Sequence, residues 1–593
     1  MNKRWQLICG IIIFVIAFWL KYLPLYIISY LILGYDIFIK AFNNIKKKEF
    51  FDENTLMIIA TVGAFIINEN IEAVLVIMLY QIGETLSDYA LDNSKEKIAS
   101  LMDLRGDFAR LIKDDKEKKV SPSKVKVGDI ILVKPGEVVP LDGICLDDDI
   151  SLDTKSLTGE ARPLVVKIND EVLSGSVVVS KPLRIRVTKD GDNSTVSKIV
   201  KFMKNAEENK TKTESFITRF SHIYTPVVCL LALLIFLIPT LLGYNYVDFL
   251  YKALIFLVIS CPCALVISVP LSFFSGIGRC SREGILVKNT TVLEKASKIS
   301  KIYYDKTGTL TTGEFNIASI VPSKGVSISL LKELVTAGEL YSNHPLSKIL
   351  SFSDAKVKKS DVTSLEEIAG IGVKCQYKKK ELVVGRDVNN HNISAVGTVV
   401  SVNYDHKEMG YIVISDNLKD TSKEAVDELN SFLIEQTMLT GDREKYAMKI
   451  AKELNINYRA SLLPVDKAEI VKKSLTNNDV VAFVGDGIND APALVTSDIG
   501  ISMGGIGSDM AMEASDVILM HDDLRDINKF IRISKYTNIK IRQNIVFALS
   551  FKILILLLGL IIDLPIYLAI FADVGVMLLT ILNSLLVFKK NFN

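Results

Sequence analysis

The 593-residue chain has almost no net charge: 70 lysines and arginines stand against 68 acidic residues, leaving +2. Nothing in that balance calls for a nucleic-acid partner. Cysteine is sparse too. Its seven residues lack the spacing of an extracellular disulfide framework, so reduced thiols facing cytosol or lipid are expected. The apolar N-terminus, with Lys3 and Arg4 ahead of it, has no small-residue cleavage site and runs straight into a second apolar stretch. It therefore reads as an anchor, not a removable signal. What the chain has in excess is apolar character: 49% hydrophobic residues and a mean hydropathy of +0.31, seldom seen in a soluble protein of this size.

Apolar runs of about twenty residues are long enough to cross a bilayer as helices. Eight are read, at roughly 5–20, 23–41, 53–68, 70–90, 219–241, 248–274, 542–562 and 566–588. The third is short and is expected to tilt or merge with the fourth. Lys3, Arg4 and Lys46-Lys47-Lys48 flank the first pair, which puts that side in the cytoplasm. Two polar segments return to the same side. The smaller, about 95–215, has short Val/Ile-rich runs and turns such as Lys134-Pro135-Gly136-Glu137, so a mostly β domain is expected. The larger, about 278–535, alternates strand and helix patterns. It reads as one α/β domain interrupted by another at roughly 320–430.

The chemistry is concentrated in Asp305-Lys306-Thr307-Gly308-Thr309-Leu310-Thr311, which follows an apolar strand ending at Tyr303-Tyr304. An aspartate becomes a nucleophile toward phosphorus when a metal and a lysine neutralise the repelling charges. The Thr-Gly-Thr loop can wrap phosphoryl oxygens with backbone N–H groups. Related phosphatases carry a second aspartate two residues on, to hydrolyse the intermediate; here that position is Thr307, so the phosphoenzyme is expected to persist. Gly485-Asp486-Gly487-Ile488-Asn489-Asp490 follows the apolar run 480–484 and supplies hard oxygens for Mg²⁺ through Asp486 and Asp490. Thr440-Gly441-Asp442 is a further strand-end loop, and Lys467 is placed to pair with phosphoryl oxygens. Any one of these is an ordinary α/β turn; four in this order are not. In the smaller insert, Leu157-Thr158-Gly159-Glu160 offers a glutamate that a moving domain can bring to orient water.

On these motifs the chain resembles, over nearly its whole length, a P-type ATPase of the heavy-metal-transporting class. The resemblance implies phosphorylation of Asp305 and dephosphorylation driven by Glu160. It implies an eight-helix transmembrane domain, a β-rich actuator domain, a split Rossmann-like phosphorylation domain of haloacid-dehalogenase type and an inserted α+β nucleotide-binding domain. The corresponding boundaries are 1–94 for the first four spans, 95–215 for the actuator, and 216–277 for spans five and six. The phosphorylation domain takes 278–320 and 433–535, the nucleotide-binding domain 321–432, and the last two spans 536–593. No Gly-x-x-x-x-Gly-Lys-Ser/Thr loop is present, so ATP is held otherwise. The class carries Ser-x-His-Pro near adenine, matched by Ser342-Asn343-His344-Pro345, with Glu339 upstream and a Gly-x-Gly turn at Gly370-Ile371-Gly372. One departure is Gly385-Arg386, where the family has Gly-Asn.

Cys261-Pro262-Cys263 lies about thirteen residues into the sixth span, roughly 20 Å deep. On an unbroken helix the two thiols would point apart; proline removes an N–H and breaks the helix, letting both face one soft ion. Lys552 and Asp573 are charges inside apolar spans, at similar distances from the hairpin tip near Asp563-Leu564-Pro565, so both are expected near the bilayer centre. Two thiolates and a carboxylate suit Zn²⁺ or Cd²⁺, and Lys552 with Asp573-Val574-Gly575 resembles the zinc/cadmium/lead branch. Lys552 is read as an internal counter-cation and Glu84 as an acidic group on the exit path. A Cu⁺ exporter, supported by Met577 one turn after Asp573, and a catalytically idle metal sensor stay open as alternatives. With no Gly-Met-x-Cys-x-x-Cys domain in the sequence, metal delivery is expected to be direct, through another chain, or by docking at the basic stretch near Lys46. Function as a monomer in the cell membrane, with the soluble domains cytoplasmic, is expected.

Overall fold

The structure is a computed structural model. It describes residues 3–46, 53–100, 108–113, 116–154, 163–191, 193–198, 211–260, 263–342, 347–368, 372–386, 398–442, 444–476, 479–486, 490–504, 509–561 and 565–592. Two compact units are formed, one from Met1–Lys298 with Lys529–Asn593, the other from Ile299–Asn528.

The apolar runs become helices α1 (Lys3–Leu20), α2 (Leu23–Lys46), α3 (Glu53–Ile66), α4 (Asn70–Ser100), α5 (Lys212–Leu241), α6 (Tyr246–Ile259), α7 (Cys263–Arg282), α8 (Arg525–Ile561) and α9 (Ile566–Lys589). Four of these stretches are long and apolar enough to cross a membrane by length and composition, with α6 and α7 counted as one; α1 and α3 supply shorter apolar helices. The third span stays separate from the fourth, because Ile67 to Glu69 turn the chain with Asn68 at φ +70°. Of the expected sixth span the structure describes α6, whose helical bonding ends at Ile259 with Ser260 as its cap, and α7 from Cys263 onward. Cys261 and Pro262 lie outside the described residues.

The smaller insert is β-rich, with a six-stranded and a three-stranded sheet around Ile131, Val133, Leu141, Leu152 and Ile185, all buried. Asp142, fully buried, ties it together: it accepts from the backbone N–H of Ser174 at 2.7 Å and of Thr195 at 2.9 Å, and from Thr195 Oγ1 at 2.7 Å.

In the second unit the strands β1 (Ile299–Asp305), β2 (Glu435–Leu439), β3 (Asn457–Arg459), β4 (Val480–Gly485), β5 (Ile499–Met503) and β6 (Val517–Leu519) lie parallel in the order β6-β5-β4-β1-β2-β3. The strands β4, β5 and β6 are near-continuous apolar, buried runs because a parallel sheet is covered on both faces, whereas β3 at the edge is polar and exposed. The order reverses at β1, and ligands of such sheets bind beyond the carboxyl ends of strands at that point. Asp305 is the last residue of β1. The inserted antiparallel sheet runs from Thr311–Pro322 to Lys407–Leu418, with Thr311 opposite Leu418. These two strands pair from the moment the chain leaves the parallel sheet until it returns.

Candidate functional site

Three strand ends converge on Asp305. Lys467, in the first turn of the helix Pro464–Ser474 and buried, forms an ion pair with Asp305 and donates to Asp490 Oδ1 at 2.8 Å. Burial, with the Asp490 carboxylate next, pushes the Asp305 carboxyl up to about 6 in spite of Lys467. Burial raises Asp490 as well. Around Lys467 burial works against the charge but is outweighed by Asp305 and Asp490, so its ammonium is held above the usual range. Lys306 turns away onto Asp442, with its ammonium 4.6 Å from the centre of the Tyr446 ring. Thr307 follows in an extended conformation and Gly308 takes φ +72°, bending the chain around the end of β1. Thr440 holds the neighbouring loop through its Oγ1, which accepts from the Asp442 N–H at 3.1 Å; Gly441 lies between them.

Asp490 Oδ2 is buried without a hydrogen-bond partner among the described residues. An unpartnered buried carboxylate oxygen next to a second carboxylate, with Asp486 on the same loop, is a set of hard oxygen donors that fits Mg²⁺. Gly485 permits the approach: a Cβ there would lie 2.9 Å from that oxygen. Asn489 lies outside the described residues, as do Thr158, Gly159 and Glu160.

Two residues escaped the sequence reading. Asp416 accepts from Thr311 Oγ1 and from the Gly313 N–H at 3.0 Å, and burial raises its carboxyl. Lys419 donates to the Gly308 carbonyl at 3.0 Å and to Asp522 at 2.5 Å. Together they fasten the two crossings between sheets to the loop after Asp305. The signal available was a carboxylate and a lysine bracketing the return of the chain to its α/β domain.

In the inserted sheet, Glu339 ends the helix Ile328–Glu339 and is buried. Gly372 stands opposite Gly385 with φ +137°, and a Cβ on it would meet the Val384 carbonyl at 2.3 Å. His344, Pro345 and Gly370 lie outside the described residues.

Among the helices, Lys552 donates to Asp573 Oδ1 at 2.6 Å and to the Ile259 carbonyl at 3.2 Å. The two charges meet at the end of α6, one residue before its cap Ser260. Of Cys263 only its place at the start of α7 is described. Glu84 pairs with Lys40 of α2. It lies about fourteen residues along α4 from Asn70, and Lys40 is six before Lys46. Glu84 therefore lies toward the flank carrying Lys46, which the charge reading assigns to the cytoplasm.

Residues 103–204 match the model of the P-type ATPase actuator domain, and residues 302–498 that of haloacid dehalogenase-like hydrolases. The cadmium, zinc and cobalt-transporting ATPase of Bacillus subtilis is 42% identical over 95% of this chain and 83% of its own length. The chain is a P-type ATPase of the zinc/cadmium class. The zinc-transporting ATPase of Synechocystis is 40% identical, over 94% of this chain and 79% of its own. A crystal structure of a zinc-transporting PIB-type ATPase in the E2.Pi state covers 99% of this P-type ATPase and 100% of its own chain, at 33% identity and a TM-score of 0.64.

Proposed function

We propose that this ATPase exports Zn²⁺, Cd²⁺ and Pb²⁺ from the cytoplasm across the cell membrane. The observation that carries the reading is the Lys552–Asp573 pair at the end of α6. An apolar bundle keeps a carboxylate only for a cation, and here a tethered ammonium holds the place.

Asp305 attacks the γ-phosphorus of ATP, the bond to the bridging oxygen breaks, and ADP leaves. Lys467 sets its positive charge against the phosphoryl oxygens and orients the Asp305 carboxylate. Asp305, Thr307, Asp486 and Asp490, with Asn489 near, would hold Mg²⁺, which would neutralise phosphate charge there. Glu339, Gly372 and the His344-Pro345 segment with Gly370 hold the nucleotide. In the second half-reaction water attacks phosphorus and the Asp305 carboxylate leaves, with Glu160 of the Thr158-Gly159-Glu160 turn orienting the water. Cys261, Cys263 and Asp573 take the cargo, and Glu84, paired with Lys40, is an acidic group on its path. The chain works as a monomer with its soluble domains in the cytoplasm, and receives metal directly, from a delivery chain or near Lys46.

The test is ATPase activity of the purified chain across Zn²⁺, Cd²⁺, Pb²⁺, Co²⁺ and Cu⁺. Stimulation by the divalent ions supports the reading; stimulation by Cu⁺ alone sinks the metal assignment. Asp305→Asn should abolish acid-stable phosphoenzyme, whereas Glu160→Gln should accumulate it. Equal labelling of both variants and wild type would contradict the two roles.

A further inference from the structure

A second polar layer spans α7, α8 and α9, and neither catalysis nor cargo binding uses it. Asn544 of α8 donates through Nδ2 to Ser584 Oγ at 2.9 Å and to the Thr580 carbonyl at 3.2 Å, and accepts from Asn583 Nδ2 at 2.8 Å. Ser584 Oγ is 2.8 Å from Ser272 Oγ and donates to the Ser268 carbonyl at 3.1 Å, which brings in α7. Lys540 extends the chain by donating to Asn583 Oδ1 at 2.8 Å. Asn544 is 1% exposed, and Ser268, Ser272, Thr580 and Ser584 are fully buried.

Position gives this layer its meaning. Ser268 and Ser272 follow Cys263, Thr580 and Ser584 follow Asp573, and Asn544 precedes Lys552, with α8 running opposite to α7 and α9. In all three helices the layer is therefore displaced from the ion site in one direction, by roughly 7–17 Å at 1.5 Å per residue. That direction leads to the end of α9 carrying Lys589 and to the start of α8, the cytoplasmic side of the export reading. The same three helices thus carry two stacked layers. In one, Lys552 occupies Asp573. In the other, amides and hydroxyls that would have to solvate an arriving cation are spent on one another across the helix interfaces.

Resting on the export reading, we propose that the Asn544-centred layer is the cytoplasmic lock of the ion site: closed while Lys552 holds Asp573, and opened to admit the cation. A saturated network would be costly to open. Here Ser268 Oγ is buried without a partner among the described residues, so the layer has an unused group with which to re-pair as α7 shifts.

The lock makes opposite demands on two ligands, since cation entry needs it open and phosphorylation of Asp305 by inorganic phosphate belongs to the ion-free state. Two measurements on the purified full chain are the Zn²⁺ concentration for half-maximal phosphorylation from ATP, and the inorganic phosphate concentration for half-maximal phosphorylation without metal. Asn544→Leu and Ser584→Ala should each lower the first and raise the second by roughly threefold to tenfold, the size of one or two interhelical hydrogen bonds. The double variant should add little to Asn544→Leu. Unchanged concentrations, or both moving the same way, overturn the lock, as does a mere loss of thermal stability at wild-type values. Ser272→Ala, the mildest change, gives the same readout if Asn544→Leu does not fold. A wild-type chain that no divalent metal phosphorylates overturns the export reading and the lock with it; a responsive wild type with unmoved variants overturns the lock alone.

Discussion

Lys467 stands between two buried carboxylates, and its removal leaves them facing each other. Lys467→Met should lower phosphoenzyme formation at least about a hundredfold, the scale of one lost electrostatic contact in a closed site, measured by acid-stable labelling from ATP. The raised Asp305 carboxyl also gives a pH signature. A carboxyl whose folded value is about 6, above the ordinary 3.9 or so, adds stability that is fully present below the unfolded value and lost as pH rises through about 6. In Mg²⁺-free buffer, Asp305→Asn should therefore raise the unfolding temperature more at pH 7.5 than at pH 5. Equal gains at both pH values would refute the shift. Asp305, Lys467 and Asp490 were legible because the first ends an apolar run, the second stands in a helix opened by proline and the third closes the Gly-rich loop after another apolar run. Asp416 was not: its partner Thr311 is 105 residues away in sequence, at the end of the Asp305 heptapeptide, and Asp416 itself sits in no motif.

Two glycines separate conformational from steric demand among the elements. At Gly308 a Cβ would meet nothing within 4 Å, so Gly308→Ala should cost only the left-handed penalty, about 1–2 kcal/mol. At Gly372 the strand opposite blocks any Cβ, so Gly372→Ala should cost upward of about 3 kcal/mol and weaken ATP binding, read by thermal unfolding and nucleotide titration. The β-rich insert has its own pH dependence. Burial favours protonated Asp142, but bonds from Ser174 and Thr195, with Lys189, win and hold its carboxyl below the usual range. Its contribution is present above about 3.9 and lost as pH falls through the lowered folded value. Asp142→Asn, which turns an amide N–H₂ toward backbone donors, should cost about 1–3 kcal/mol at pH 7 and less at pH 3 by calorimetry. Strand and helix types were readable from period and length here. The pairing of Thr311 with Leu418 was not, because Thr311 belongs by composition to the loop before it and its partner is far away in sequence.

For the molecule as a transporter, the proposed function makes the exchange of cargo for Lys552 at Asp573 the step to test. Lys552→Met leaves that carboxylate without its tethered cation, so Zn²⁺ should be retained longer and ATPase turnover should fall several-fold. Metal remaining after gel filtration, with and without ATP, checks this; unchanged retention would separate Lys552 from release. The meeting of these two residues could be read by counting back from a hairpin tip, since helices advance by a constant rise. The Glu84–Lys40 pair could not, because nothing in either helix alone fixes which neighbour it packs against. A further partner of Lys552 is a main-chain oxygen, that of Ile259. A carbonyl is supplied by whatever residue occupies that position. A saturation scan of the chain should therefore flag 552 and 573 sharply and pass over 259, leaving one wall of the ion layer outside the reach of side-chain selection.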